Sequence, residues 1–149
     1  MRALGPALGL AAAALAALGC GEHRPPLSSL CTQSERPITR ALRRAPRPVM
    51  LADGTRLSQC VANARDAGDL QNFGVVVVRV ADRLADRAGA DPAAALRLGY
   101  LIGAAERGAA HSEGIHAELV HRLEVTARRL PPEAQPRLER GRRAGERGG

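Results

Sequence analysis

The chain has 149 residues, a net charge of +7 and 22 basic side chains, every one of which is arginine. With one Tyr, one Phe and no Trp, Leu, Val, Ile and Ala must supply nearly all of the apolar area that a fold buries. Residues 20–50 carry a net charge of +4, residues 51–130 are neutral and residues 131–149 carry +2. Nucleic-acid-binding domains place basic charge on a folded face, often beside aromatic rings. This distribution therefore argues against a nucleic-acid partner.

The N-terminus has the pattern of a bacterial secretory signal. Met1 and Arg2 precede 17 uncharged residues, Ala3 to Gly19, and Cys20 follows. A basic start, an apolar stretch and a small residue before the cut are typical of such signals. We expect residues 1–19 to be a signal peptide. The alternative is an uncleaved anchor, because 17 residues are at the lower limit of a membrane span.

The residues before the possible cut add a second feature. Ala17-Leu18-Gly19-Cys20 resembles the lipobox of bacterial lipoproteins, in which a small residue precedes the cysteine that is acylated. Gly19 and Cys20 match, whereas Ala17 and Leu18 depart from the usual order of a large aliphatic residue followed by a small one. The resemblance implies that Cys20 is lipidated and becomes the new N-terminus. The protein would then be attached to the outer face of a bacterial membrane, in the cell envelope or periplasm. Ordinary signal cleavage at the same bond is the alternative.

The cysteine count agrees with export. If Cys20 carries lipid, Cys31 and Cys60 remain as a pair in an oxidising compartment. We predict a disulfide between them, which stabilises the fold by about 3–4 kcal/mol in the chain-entropy model.

Residues 20–50 are predicted to be a tether. Pro and Ser pairs up to Pro37 favour extended, solvated chain, and the spacing of Ile38 and Leu42 indicates a short helix ending near Ala45. The basic charge of this segment suits an anionic membrane surface if an anchor precedes it. A merely solvated tether is the alternative.

Residues 51–130 are predicted to form a helical domain. Asp53-Gly54 suits either a hairpin or a turn before a short helix from about Arg56 to Arg65, and the apolar spacing favours the helix. The next helix starts with Asp69 as its cap. Its expected inward stripe comprises Leu70, Phe73, Val77, Val80, Ala81, Leu84 and Ala88. A strand over residues 75–78 is the alternative.

Two further helices complete the domain. Asp91-Pro92 is a strong start for a helix to about Arg107, in which Gly99 and Gly103 predict close approach of a neighbouring helix. The last helix is expected to run from a cap at Ser112 to Leu130. Its expected inward residues are Ile115, Leu119, Val120, Leu123, Ala127 and Leu130.

Residues 131–149 contain mainly Pro, Gly, Arg and Glu, with little to bury, and we predict a disordered basic tail. The fold class is therefore all-α. We expect a small bundle of three main helices and one short helix between a disordered tether and a disordered tail.

The histidines are the main candidates for chemistry. Glu113-x-x-His116 and Glu118-x-x-His121 have the Glu-x-x-His spacing of di-iron bundles, in which two different helices each contribute such a motif. Both lie on one predicted helix, five residues apart, which turns them about 140° from each other. We therefore expect no metal or other cofactor. His116 is expected to be half-buried in the core and His121 solvated.

No nucleophile motif or phosphate-binding loop is present in the sequence. We predict a lipid-anchored, non-enzymatic envelope protein that presents a helical surface to an envelope protein partner, with no small-molecule ligand. One alternative is a small exported metal-binding protein or enzyme that uses His111, His116 and Glu113. Another is a binder of anionic lipid or polymer through its basic tail.

Overall fold

The computed structural model describes residues 25–112 and 114–149. These residues form seven α-helices: α1 Ser29–Thr32, α2 Glu35–Leu42, α3 Leu57–Asn63, α4 Ala67–Arg87, α5 Pro92–Ala109, α6 Ile115–Ala127 and α7 Gln135–Gly148. A 3₁₀ turn, Pro132–Ala134, precedes α7. The predicted all-α class is confirmed. Among the described helices, none has the length and apolar character that crossing a bilayer requires.

Helix α5 is the centre of the bundle and packs against α3, α4, α6 and α7. It begins as predicted, because the Asp91 carboxylate accepts a hydrogen bond from the Ala93 N–H and Pro92 occupies the first turn. Tyr100 lies fully buried on this helix, and its hydroxyl accepts a hydrogen bond of 2.9 Å from the Val49 N–H. One of the two aromatic rings therefore also fixes the segment between α2 and α3.

Helix α4 buries the whole of its predicted stripe, and the strand alternative for residues 75–78 is wrong. Asp69 is not the cap. Asp66 precedes the helix and its carboxylate accepts from the Asp69 N–H at 2.7 Å. Asp69 lies inside the first turn, where a negative charge also favours the helix dipole.

Residues 25–50 are not a loose tether. Helices α1 and α2 pack against α4, and Ile38, Ala41 and Leu42 are buried. The predicted disulfide between Cys31 and Cys60 is present, with a Cα–Cα distance of 5.8 Å, and it joins α1 to α3. Burial of one apolar face and the covalent bond hold this segment on the bundle. The turn at Asp53–Gly54 follows, with an isolated antiparallel bridge between Met50 and Arg56 before α3 begins.

The C-terminal residues contradict the predicted disorder most clearly. Residues 135–148 form α7, which packs along α5 and buries Leu138 and Ala144. A Cβ atom built at Gly99 or Gly103 would overlap a backbone carbonyl oxygen of α7, and one at Gly141 would overlap a carbonyl oxygen of α5. The close approach predicted for Gly99 and Gly103 is therefore real, and the neighbouring helix is the segment predicted to be a tail.

Candidate functional site

Among the described residues, the candidate metal ligands are not gathered into one cluster. His111 and His121 are exposed, and Glu113 lies outside the described residues. Nε2 of His116 lies 3.0 Å from the Ala64 carbonyl oxygen and 3.2 Å from that of Val61. Two acceptors require this nitrogen to carry a proton, so it is not available to a metal ion. Within the described part of the chain, no three His, Cys, Asp or Glu side chains come together as ligands.

The role of His116 is instead structural, in agreement with the half-buried position predicted for it. The ring reaches from the first turn of α6 to the carbonyl groups of Val61, in the last turn of α3, and of Ala64, the residue that follows this helix. It therefore joins α6 to α3. Ser112 also differs from the prediction, because its hydroxyl donates to the Ala109 carbonyl at the end of α5, and Gly114 precedes α6 instead.

A second charged cluster lies where α5, α6 and α7 meet. Both Oε atoms of Glu106 accept hydrogen bonds from Arg142, which also lies 3.2 Å from Glu124 and 3.8 Å from Glu146. Burial raises the pKa of Glu106, and the hydrogen bond from Arg142 opposes this shift. A raised carboxyl pKa near a cleft is also typical of catalytic acids. Here both oxygens are occupied by one guanidinium, so the cluster anchors α7 rather than carrying chemistry.

A groove of about 560 Å³ lies between α4 and α6, and we call it the α4–α6 groove. Leu70 and Leu119, both buried, form its floor together with Gly74. A Cβ atom at Gly74 would come within 3.7 Å of Leu119 Cδ1, so the absence of a side chain there deepens the groove.

The walls of the α4–α6 groove are apolar and unusually exposed. Val75 is 47% exposed on α4, and Ile115 is 48% exposed on α6. Ile115 was predicted to face inward, and that prediction is wrong. Ile115 does lie on the apolar side of α6, but among the described helices only α4 and α6 line the α4–α6 groove. Its side chain therefore borders the groove.

Charged side chains lie at the rim of the groove. Arg122 Nε donates to Glu118 Oε1 at 2.8 Å, so these two charges compensate each other. The hydrogen bond from Arg122 lowers the pKa of Glu118, which keeps the carboxylate ionised. Arg79, also at the rim, has no carboxylate partner among the described residues. The site thus combines an apolar channel with a positive charge, that of Arg79, which has no carboxylate partner within the described part of the chain.

Comparison with known proteins does not extend this description, because no family model, curated protein or solved structure matches the chain. The fold and site define an all-α bundle with an open groove between two helices. Sequence reasoning identified neither the groove nor the Arg142 cluster. Ile115 was predicted to face inward, Val75 lay outside the predicted stripe of α4, and Arg142 lay in the segment predicted to be a disordered tail.

Proposed function

We propose that this chain is a lipid-anchored, non-enzymatic protein of the bacterial cell envelope that binds a helix of a partner protein in the α4–α6 groove. The open groove carries the proposal. An amphipathic helix binds such a channel through apolar side chains spaced one turn apart. The exposed Val75 and Ile115 offer contacts of this kind.

The rim charge defines the partner further. Because Arg79 lacks a carboxylate partner among the described residues, a Glu or Asp beside the apolar face of the partner helix would complement it. The occupant is therefore an amphipathic helix with an acidic edge. A neutral small molecule would leave this charge unused.

Export and anchoring are supported by the N-terminal pattern and by the disulfide. Disulfides such as Cys31–Cys60 persist in oxidising compartments and are rare in the cytosol. Cys20, the proposed lipid attachment site, lies outside the described residues. The intact mass of the protein from its native membrane fraction tests the anchor. We expect a chain that begins at Cys20 and carries acyl groups. An unacylated chain that still begins at Met1 would refute it.

The groove is tested by placing a photo-cross-linking residue at position 75 in the producing cell, and at position 125 as a control. Val125 is 43% exposed on α6 but does not line the groove, so it matches Val75 in type and exposure. We expect one envelope protein to be cross-linked from position 75 and not from position 125. Mass spectrometry identifies that protein, and the purified pair is then titrated.

In that titration, Val75→Gln should weaken binding about fivefold. A half-exposed Val loses about 1 kcal/mol of transfer free energy when its remaining apolar surface is not buried. Val125→Gln should leave the affinity unchanged. Equal effects of the two variants, or cross-links of equal yield from both positions, would contradict binding in the groove.

A further inference from the structure

Five exposed arginines lie on α2 and in the turns that follow it. Arg36, Arg40, Arg43, Arg44 and Arg47 are all exposed and recur at spacings of three and four residues. Arg36 and Arg40 lie one turn apart on α2, and Arg43, Arg44 and Arg47 follow in the turns after Leu42. The buried residues Ile38, Ala41 and Leu42 occupy the opposite side. We call this set the α2 arginine stripe.

The α2 arginine stripe is held rigidly on the bundle. Helix α2 packs on α4, and the Cys31–Cys60 disulfide fixes the chain just before it. Glu35, the one acidic residue between positions 25 and 50, already lies 2.8 Å from Arg83. Among the described residues, no carboxylate forms an ion pair with any arginine of the stripe. With respect to residues 25–112 and 114–149, the stripe therefore presents positive charge without an ion-pair partner on a fixed surface.

The stripe also lies close in sequence to the proposed anchor. Leu27 is the first of the described residues that packs against the core, and it lies seven residues after Cys20. Seven extended residues span at most about 25 Å. An acylated Cys20 would thus keep α2 within reach of the lipid headgroups.

We propose that the α2 arginine stripe docks the bundle onto an anionic phospholipid surface, with its guanidinium groups on the headgroup phosphates. Guanidinium groups match phosphate oxygens in a two-pronged geometry. The nearness of the surface rests on the proposed function, but the affinity of the stripe for anionic headgroups does not. The surface has no aromatic side chain, which single-stranded nucleic acids use for stacking.

The test measures co-sedimentation of the full chain with vesicles. The chain carries Cys20→Ser, so that it cannot be acylated at that position. One set of vesicles is phosphatidylcholine alone, and the other is phosphatidylcholine mixed with phosphatidylglycerol in a two-to-one ratio. The stripe variant combines Arg36→Gln, Arg40→Gln and Arg44→Gln. The control combines Arg137→Gln, Arg140→Gln and Arg143→Gln, which removes the same charge from exposed positions of α7.

Each arginine near an anionic surface contributes about fivefold to the partition coefficient. The stripe variant should therefore bind the phosphatidylglycerol vesicles about a hundredfold less strongly than the parent, and added salt should weaken the parent. The control variant should remain within about fivefold of the parent. Both variants should keep the parent's far-ultraviolet circular dichroism, because all six side chains are exposed.

Three results would overturn the proposal. The first is equal binding of the parent to both vesicle types. The second is an equal loss of binding by the two triple variants, which would reflect net charge alone. The third is a stripe variant that loses binding to soluble polyphosphate and keeps its binding to vesicles, which would make the partner a polymer. A mass spectrum without acyl groups would refute the anchor and leave this assay unaffected.

Discussion

Replacing a glycine at the contact of α5 with α7 tests the packing that most distinguishes this fold. A Cβ atom at Gly103 would overlap the carbonyl oxygen of Arg142, and one at Gly141 would overlap that of Leu96. Both obstacles are backbone atoms of a helix, so no side-chain rotation relieves them. Gly103→Ala or Gly141→Ala must therefore push the two helices apart.

Two opposing effects set the magnitude. Alanine is favoured over glycine in a helix interior by about 1 kcal/mol. Overpacking costs about 1–3 kcal/mol where neighbours can shift, and here the separation of the helices also uncovers Leu138 and Ala144. We expect each variant to lose about 2 kcal/mol of unfolding free energy net, which lowers the Tm by about 8 °C.

Thermal unfolding followed by far-ultraviolet circular dichroism measures the shift, and Gly74→Ala is the matched control. Gly74 also lies inside a helix, but its added Cβ would meet Leu119 at 3.7 Å, an ordinary contact. This control should raise the Tm by about 4 °C. If Gly103→Ala and Gly141→Ala raise the Tm as Gly74→Ala does, α7 does not pack against α5 and residues 131–149 are a tail after all.

Two further measurements test the bundle. Reduction of the Cys31–Cys60 disulfide, or its removal by Cys31→Ser with Cys60→Ser, should lower the unfolding free energy by about 3–4 kcal/mol, because the bond links residues 29 positions apart in the unfolded chain. Denaturant titration with and without reductant measures this change, and an unchanged midpoint would refute it. Burial raises the pKa of Tyr100, so the neutral phenol stabilises the fold below its ordinary value of about 10, and this stability is lost as the pH rises through the raised value. Since the chain has one Tyr, near-ultraviolet absorbance reports this group alone, and a native titration curve that coincides with the one in denaturant would contradict its burial.

The α4–α6 groove could not be predicted from the sequence, because burial of a side chain depends on the neighbouring helices. Periodicity identified the apolar side of α6 but not which residues of that side are covered. Ile115 and Leu119 are one turn apart on it, yet Ile115 is half exposed and Leu119 is buried. A residue on the apolar side of a helix is buried only where another helix packs over it. Among the described helices, only α4 and α6 line the α4–α6 groove.

Helices that depend on neighbouring residues in the chain could be predicted without the structure. Asp91-Pro92 starts α5, and the apolar residues from Leu70 to Leu84 form the buried side of α4. The disulfide between Cys31 and Cys60 was also predicted from the sequence and is present. That residues 135–148 form a helix, by contrast, became clear only from its packing in the folded protein. Gly141 and Gly145 destabilise an isolated helix, so helix propensity alone predicts no helix at α7. Against α5 the same two glycines remove the side chains that would keep the backbones apart, and the resulting contact stabilises a helix that the segment alone does not favour.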